Sequence, residues 1–204
     1  VTGTTEEGIY ARTSGSRLSI DSSAGAVSGG TYGVDARNEG TGAAIIIVGQ
    51  VDGLSKDGIR ATNGVRADPM GEPMFPIKGG TDLTIAATGA VTGAISGIDA
   101  ANDGMGFTSI TATDVTGTAS NGITASNGVM TTNLDITTTG ATTGGTNGIL
   151  ASNLGTGATT ITTNDTVTGT AGIGIQATNG DNYNNASTDL TITSTALVTG
   201  TIGG

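Results

Sequence analysis

The chain has 204 residues with 17 acidic and 7 basic side chains, a net charge of −10. It contains no Cys and no His, which excludes a disulfide scaffold and thiolate metal sites and removes the commonest general base. With 37 Gly and 2% aromatic residues, a helical bundle and a thick two-layer core are also excluded. Residues 79 to 204 carry no Lys or Arg, so neither nucleic acid nor anionic lipid is an expected partner. No apolar run approaches the ~20 residues of a membrane span, so we expect no direct membrane insertion of this segment.

A Gly-Ile/Val-x-Ala unit recurs along the whole chain. Successive copies are 25 or 26 residues apart, apart from one interval of 39. The seven copies begin at Gly8, Gly33, Gly58, Gly97, Gly122, Gly148 and Gly174.

Two further strand patterns follow each unit in a fixed order. The first is centred on Ile20, Ile45, Ile85, Ile110, Ile136, Ile161 and Ile192. The second is marked by Val27, Val51, Val91, Val115, Thr142, Val167 and Val198. Three short strands per period of about 25 residues, separated by Gly and Asn, predict an all-β parallel β-helix, a solenoid of about eight turns.

The alternation within each strand predicts which side chains lie inside. Ile9, Val34, Ile59 and Ile98 occupy equivalent positions, and we expect them to line one interior column. Backbone groups would then pair between neighbouring turns. Residues 1 to 204 therefore read as a single segment of a longer repeat protein, whose uncapped ends we expect to be covered by more repeats or by another chain.

An Asn follows the Ala by two residues in six of the seven units. We expect these residues to adopt a left-handed turn conformation, and their stacked amides to form a structural ladder along the axis. They are Asn38, Asn63, Asn102, Asn127, Asn153 and Asn179.

Two insertions interrupt the pattern. The longer, 64–82, contains all three prolines together with Met70, Met74 and Phe75, and the shorter, 180–188, contains Tyr183. Because Pro cannot donate a ladder hydrogen bond, the longer insertion is predicted to be a loop outside the sheets. The shorter insertion follows Asn179 at the equivalent corner and is predicted to be a loop as well. These four side chains either form a contact surface or fold back over the rod. Neither loop has calcium-ligand spacing, and no cofactor or metal site is predicted.

Three charged residues are candidates for chemistry because β-helices also carry polysaccharide-cleaving enzymes. Asp35, Arg60 and Asp99 stand at the outward position of three successive units, which places the acids roughly 9 to 10 Å apart, near the upper end of an inverting glycosidase pair. We expect Arg60 to keep both carboxylates ionised, no aromatic platform to lie nearby, and the three to form an exposed charge ladder. No catalytic residue is assigned.

Outward Thr pairs suggest a second alternative, an ice-binding solenoid. Thr160 and Thr162 flank Ile161, and Thr191 and Thr193 flank Ile192. Equivalent positions elsewhere hold Asp or Ala, and β propensity alone explains outward Thr.

The repeat as a whole resembles the passenger regions of Gram-negative autotransporters and related large surface adhesins. Its clearest copy runs Gly148-Ile149-Leu150-Ala151-Ser152-Asn153, Thr159-Thr160-Ile161-Thr162-Thr163 and Val167-Thr168-Gly169-Thr170. The resemblance implies a right-handed β-helix at the cell surface or outside the cell. It favours a non-catalytic structural and adhesive stalk that binds a cell-surface or glycan ligand, with end-to-end homo-oligomers or fibres as a further option.

Overall fold

Three parallel β-sheets make up the part of the chain that the computed structural model describes, residues 1–64, 79–180 and 188–201. The chain visits the sheets in rotation, so that each turn adds one strand to each sheet. No helix occurs among these residues. The prediction of an all-β parallel solenoid with three short strands per turn is confirmed.

Each sheet collects one of the three sequence patterns. Sheet 1 holds the Gly-Ile units as β2 (Ile9–Thr13), β5 (Val34–Asn38), β8 (Ile59–Asn63), β11 (Ile98–Asn102), β14 (Ile123–Asn127), β17 (Ile149–Asn153) and β20 (Ile175–Asn179). Sheet 2 holds β3 (Leu18–Ser22), β6 (Ala44–Val48), β9 (Leu83–Ala87), β12 (Thr108–Ala112), β15 (Leu134–Thr138), β18 (Thr159–Thr163) and β21 (Leu190–Ser194). Sheet 3 holds β1 (Thr2–Gly3), β4 (Val27–Gly29), β7 (Val51–Gly53), β10 (Val91–Gly93), β13 (Val115–Gly117), β16 (Thr142–Gly144), β19 (Val167–Gly169) and β22 (Val198–Gly200).

The number of turns is smaller than predicted. Six full turns lie between β2 and β20, compared with the eight expected. Dividing the chain length by the period overestimates the count, because it includes the extra residues of the long interval and the partial turns at each end.

Equivalent residues lie side by side from one turn to the next. Ile9 pairs with Val34, Val34 with Ile59, and Ile59 with Ile98, so the predicted interior column is confirmed. β8 and β11 pair in full register although the 39-residue interval separates them. The strands on either side of the longer insertion therefore continue the ladder without a slip.

The interior is a stack of β-branched and other aliphatic side chains. Along most strands, buried residues alternate with partly exposed ones, as the period of two requires. Ile59, Ile98 and Ile149 are completely buried in sheet 1, and Ile46, Ile110 and Ile161 play the same part in sheet 2. β-Branched side chains suit this site because they pack well against identical neighbours on a pleated surface.

One interior position was predicted wrongly. Ile46, and not Ile45, pairs with Ile20 and Ile85 and is fully buried, while Ile45 lies on the outer face. The strand Ala44–Val48 is apolar at every position, so it lacks the alternation that fixes register elsewhere. Its neighbours decide the register.

The Gly that opens each unit is required by close packing between turns. A Cβ at Gly58 would lie 2.7 Å from the Gly97 carbonyl oxygen and 2.7 Å from Cγ1 of Val91. No side chain fits there without moving the next turn, which explains why Gly precedes the Ile or Val of every repeat.

Candidate functional site

Charged and aromatic side chains are concentrated on the outer face of sheet 1, in its first four strands. Tyr10, Asp35, Arg60 and Asp99 are register neighbours on β2, β5, β8 and β11. Further along the same column the outward residues are Thr124, Leu150 and Gln176. We call the first four residues, with Tyr32, Arg37 and Asp57, the Tyr-Arg-Asp face.

Asp35 is buried and tightly held by an arginine of its own strand. Its Oδ1 and Oδ2 accept hydrogen bonds from Nε and Nη2 of Arg37 at 3.0 and 2.6 Å. The Arg37 guanidinium lies 5.9 Å from the centre of the Tyr10 ring, a distance at which a cation is attracted to the ring face. The prediction of an exposed charge ladder is wrong at Asp35, which is 0% exposed, because Arg37 covers it.

Arg60 lies on an aromatic ring and not on a carboxylate. Its guanidinium carbon is 5.5 Å from the centre of the Tyr32 ring, and Nη1 donates to the Tyr32 hydroxyl at 3.0 Å. No carboxylate of the described residues forms an ion pair with it. The expectation that no aromatic platform lies near the charged column is therefore wrong. Tyr32 precedes Gly33 at a corner, and only the folded turn brings it beneath Arg60.

Asp99 is a partly buried carboxylate with a perturbed proton affinity. Burial raises the pKa of Asp99, the nearby charge of Asp57 raises it further, and Arg60 opposes both. We expected Arg60 to keep this group ionised. Arg60 acts in that direction, but it does not outweigh burial and Asp57.

The two candidate carboxylates therefore differ in kind. Both oxygens of Asp35 are occupied by Arg37, whereas the structure gives Asp99 no hydrogen bond. A general base needs a free oxygen within reach of its substrate. The geometry brings Asp35, Arg60 and Asp99 into one column without pairing them as an acid and a base.

The six predicted Asn residues form a column at the C-terminal ends of the strands of sheet 1. Each pairs in register with the next along β5, β8, β11, β14, β17 and β20. Nδ2 of Asn38 donates to Oδ1 of Asn63 at 2.7 Å, and Nδ2 of Asn63 to Oδ1 of Asn102 at 3.2 Å. Others bond to corner carbonyls, as Asn127 does to the Asn133 oxygen.

The predicted left-handed conformation of these Asn residues is wrong. Among residues 1–64, 79–180 and 188–201, the positive φ angles belong to Gly64 and Gly180, at 86° and 91°. These glycines directly follow Asn63 and Asn179. Asn63 and Asn179 therefore end their strands without a left-handed conformation, and the glycine that follows each of them makes the turn.

A second use of Asn and Asp was not predicted. At the corner before sheet 1, side-chain oxygens accept the backbone N–H of the equivalent residue one turn on. Asp57 accepts from Ser96 at 2.9 Å, Asn121 from Asn147 at 3.2 Å, and Asn147 from Ile173 at 2.8 Å. The sequence pattern that could have predicted these hydrogen bonds is the Asp-Gly-Ile or Asn-Gly-Ile triplet.

The outward Thr residues form a complete pair of columns only in the last turns of sheet 2. Thr160 pairs with Thr191, and Thr162 with Thr193. One turn earlier, Asp135 occupies the position that Thr160 holds on the next strand. The array is thus regular over two strands and charged on the third.

The proposed contact residues Met70, Met74, Phe75 and Tyr183 lie outside the described residues. The corner from which both insertions arise also carries exposed apolar side chains on the intervening turns. They are Met105, Phe107, Val129, Met130 and Leu154.

Two features are absent from the part of the chain that the structure describes. Its residues contain no group of three or more acidic side chains placed to hold a metal ion. They also contain no helix with the length and hydropathy to cross a bilayer. No family model, curated protein or solved structure matches the chain.

Proposed function

We propose that this chain is a non-catalytic structural and adhesive stalk segment of a surface-displayed or secreted protein. The observation that carries the proposal is the continuous register of all three sheets, in which a mostly aliphatic buried interior supports an outer face that varies from turn to turn. Repeat scaffolds of this kind are stabilised by contacts between neighbouring turns and present extended surfaces for binding.

The outer surface supports the adhesive part of the proposal. Its chemically distinctive side chains are gathered on one face of four successive strands, and two arginines are stacked on tyrosines there. Arginine and tyrosine are favoured at recognition surfaces because they combine large contact area with hydrogen bonding. The similarity of the repeats to autotransporter passengers adds a cell-surface location in a Gram-negative bacterium.

The location can be tested on intact cells of the organism that makes the protein. An antibody against residues 1–204 should label unpermeabilised cells or the culture medium, and external protease should remove the cell-bound signal. Labelling that requires permeabilised cells would overturn the proposal.

A polysaccharide-cleaving enzyme is the second candidate, and Asp99 is the observation that favours it. Burial raises the pKa of Asp99, which is the direction of shift that a general acid requires. Its partner is the difficulty, since both oxygens of Asp35 are bound by Arg37. Reducing-end release from polygalacturonate, xylan and β-glucan decides between the two. Absence of release supports the stalk, and release that disappears in Asp99→Asn would replace it with the enzyme.

End-to-end assembly remains a prediction. Sedimentation velocity at several protein concentrations tests it, because assembly through the rod ends should increase the sedimentation coefficient with concentration.

A further inference from the structure

The Arg60 guanidinium and the Asp99 carboxylate are neighbours that do not pair. They are register partners on adjacent strands, about 4.8 Å apart at the backbone, yet they form no ion pair. The reason is that Arg60 lies on Tyr32 and donates Nη1 to its hydroxyl. The structure thus keeps a strong donor and a strong acceptor side by side without joining them.

Both groups retain unused hydrogen-bonding capacity. A guanidinium has five N–H donors, and the one hydrogen bond given for Arg60 is that to Tyr32. Asp99 has no hydrogen bond and is partly buried. A partly buried acceptor gains from a ligand that donates to it.

The charges around this pair favour an uncharged ligand. Asp57 and Asp99 would repel an anion that approached Arg60. A cation that approached Asp99 would be attracted by Asp57 but repelled by Arg60 on the neighbouring strand. A hydroxyl group avoids both penalties, because it accepts from the guanidinium and donates to the carboxylate. Two neighbouring hydroxyls could therefore bridge the donor and the acceptor.

The rest of the face suits a ligand that extends along the rod. Tyr10 lies three strands from Asp99, a distance of roughly 14 Å, and 54% of it is exposed. On the other side of Asp99 is the hydroxyl of Thr124, which accepts from Asn121. An aromatic ring thus lies toward one end of the column that holds the charged pair, and a hydroxyl lies next to the pair on the other side.

We propose that the Tyr-Arg-Asp face binds a neutral oligosaccharide, whose hydroxyls bridge Arg60 and Asp99 and whose chain lies along the rod axis. This inference rests on the proposed adhesive function and names its ligand class. It places the binding site on sheet 1 and not on the two inserted loops.

The test is titration calorimetry of the full chain with four neutral hexasaccharides, those of maltose, cellulose, mannan and chitin, and with a galacturonate hexamer as the anionic comparison. We expect at least one neutral hexamer to bind measurably below about 10 mM and the galacturonate to bind more weakly. Asp99→Asn and Arg60→Gln should each lower the affinity about tenfold or more. Gln176→Ala, in the same column three strands further on, is the matched control and should leave it unchanged.

The pH dependence of binding distinguishes direct contact between Asp99 and the ligand from a purely structural role of Asp99. Protonation replaces the charged acceptor at Asp99 with a neutral carboxylic acid, which accepts hydrogen bonds more weakly. Binding to the parent should therefore weaken as pH falls through the raised pKa of Asp99. The affinity of the Asp99→Asn variant should show no such step. The charged groups acting on Asp99 are Asp57 and Arg60, and neither removes this dependence.

Three results would overturn the inference: no neutral hexamer binds, the galacturonate binds more tightly, or both variants bind like the parent while circular dichroism shows them folded. Surface labelling of cells is independent of this titration. A failed titration with positive labelling rejects the ligand, whereas negative labelling rejects the proposed function.

Discussion

The first four strands of sheet 1 and its last three share an interior but not an exterior. Ile59 and Ile98 in the first group are as deeply buried as Ile123 and Ile149 in the second. On the outer face, two arginine–tyrosine stacks and a buried ion pair in the first group give way to Thr124, Leu150 and Gln176 in the second. The interior is therefore fixed by packing between turns, while the outer face can vary without loss of the fold.

This contrast separates stability from specificity within one repeat. An interior residue must match its neighbours above and below, because a close-packed column tolerates neither a void nor an extra methyl group. An outward residue meets mostly solvent. Where outward residues pair with each other, as Asp35 does with Arg37, they also contribute to the free energy of unfolding.

Interior substitutions should be equally costly in both regions. Ile98→Ala and Ile149→Ala each create a cavity in the same column, and we expect each to lower the free energy of unfolding by about 3 kcal/mol. Urea denaturation followed by circular dichroism measures both. A difference between them of more than about 1 kcal/mol would show that the two regions do not share one kind of interior.

Outer-face substitutions should distinguish the two regions. Arg37→Met leaves the buried carboxylate of Asp35 unpaired, and we expect it to lower the free energy of unfolding by about 2 kcal/mol. The expected loss is smaller than for a fully buried ion pair because Arg37 is partly exposed. Ser152→Ala, in the same column on β17, should change little. The double variant Asp35→Asn with Arg37→Met should recover most of the loss, and failure to recover would mean that Arg37 acts through its stack on Tyr10.

One interior column contains a polar defect that can be repaired. Thr142 lies between Val115 and Val167 in sheet 3, is completely buried, and its hydroxyl has no hydrogen-bond partner among the described residues. Thr142→Val should raise the free energy of unfolding by about 1 kcal/mol, because it removes an unsatisfied polar group at nearly constant volume. Thr143→Val, on the outer side of the same strand, is the control and should have a smaller effect in the denaturation curve.

The sequence was sufficient to predict most of the fold because the same strand patterns recur in every turn, and each recurrence indicates the same register. Gly-Ile-x-Ala fixes one sheet, and the order of the other two patterns fixes the path of the chain. The prediction failed at Ile45, where an apolar run carries no alternation and only the neighbours Ile20 and Ile85 decide which residue is buried.

The site was harder to predict because its contacts cross between turns in ways that spacing does not encode. Asp35 is buried by Arg37, two residues along its own strand, and that choice of rotamer has no sequence signature. Tyr32 and Arg60 are 28 residues apart. Counting equivalent positions along the sequence places Arg60 between two aspartates, but it does not predict that the Tyr32 ring lies beneath Arg60.

The smallest expected effect concerns Asp99, and its sign depends on pH. The folded protein raises the pKa of Asp99 above its ordinary value of 3.8, so the ionised form destabilises the fold. That penalty is complete above the folded pKa and disappears below the ordinary value. Asp99→Asn should therefore stabilise the protein by about 0.5 kcal/mol near neutral pH, and the difference should vanish below about pH 3.

Asp21 provides a control of opposite sign. Hydrogen bonds from the side chain and backbone of Ser23 lower the pKa of Asp21, so its contribution favours the fold above 3.8 and is lost as pH falls. Asp21→Asn should thus destabilise at neutral pH, where Asp99→Asn stabilises. Denaturation of both variants at a series of pH values measures the two slopes. A stability difference for Asp99→Asn that does not change with pH would mean that Asp99 is solvated like any surface carboxylate. The outer face of sheet 1 would then have no partly buried acceptor to distinguish it from the later turns.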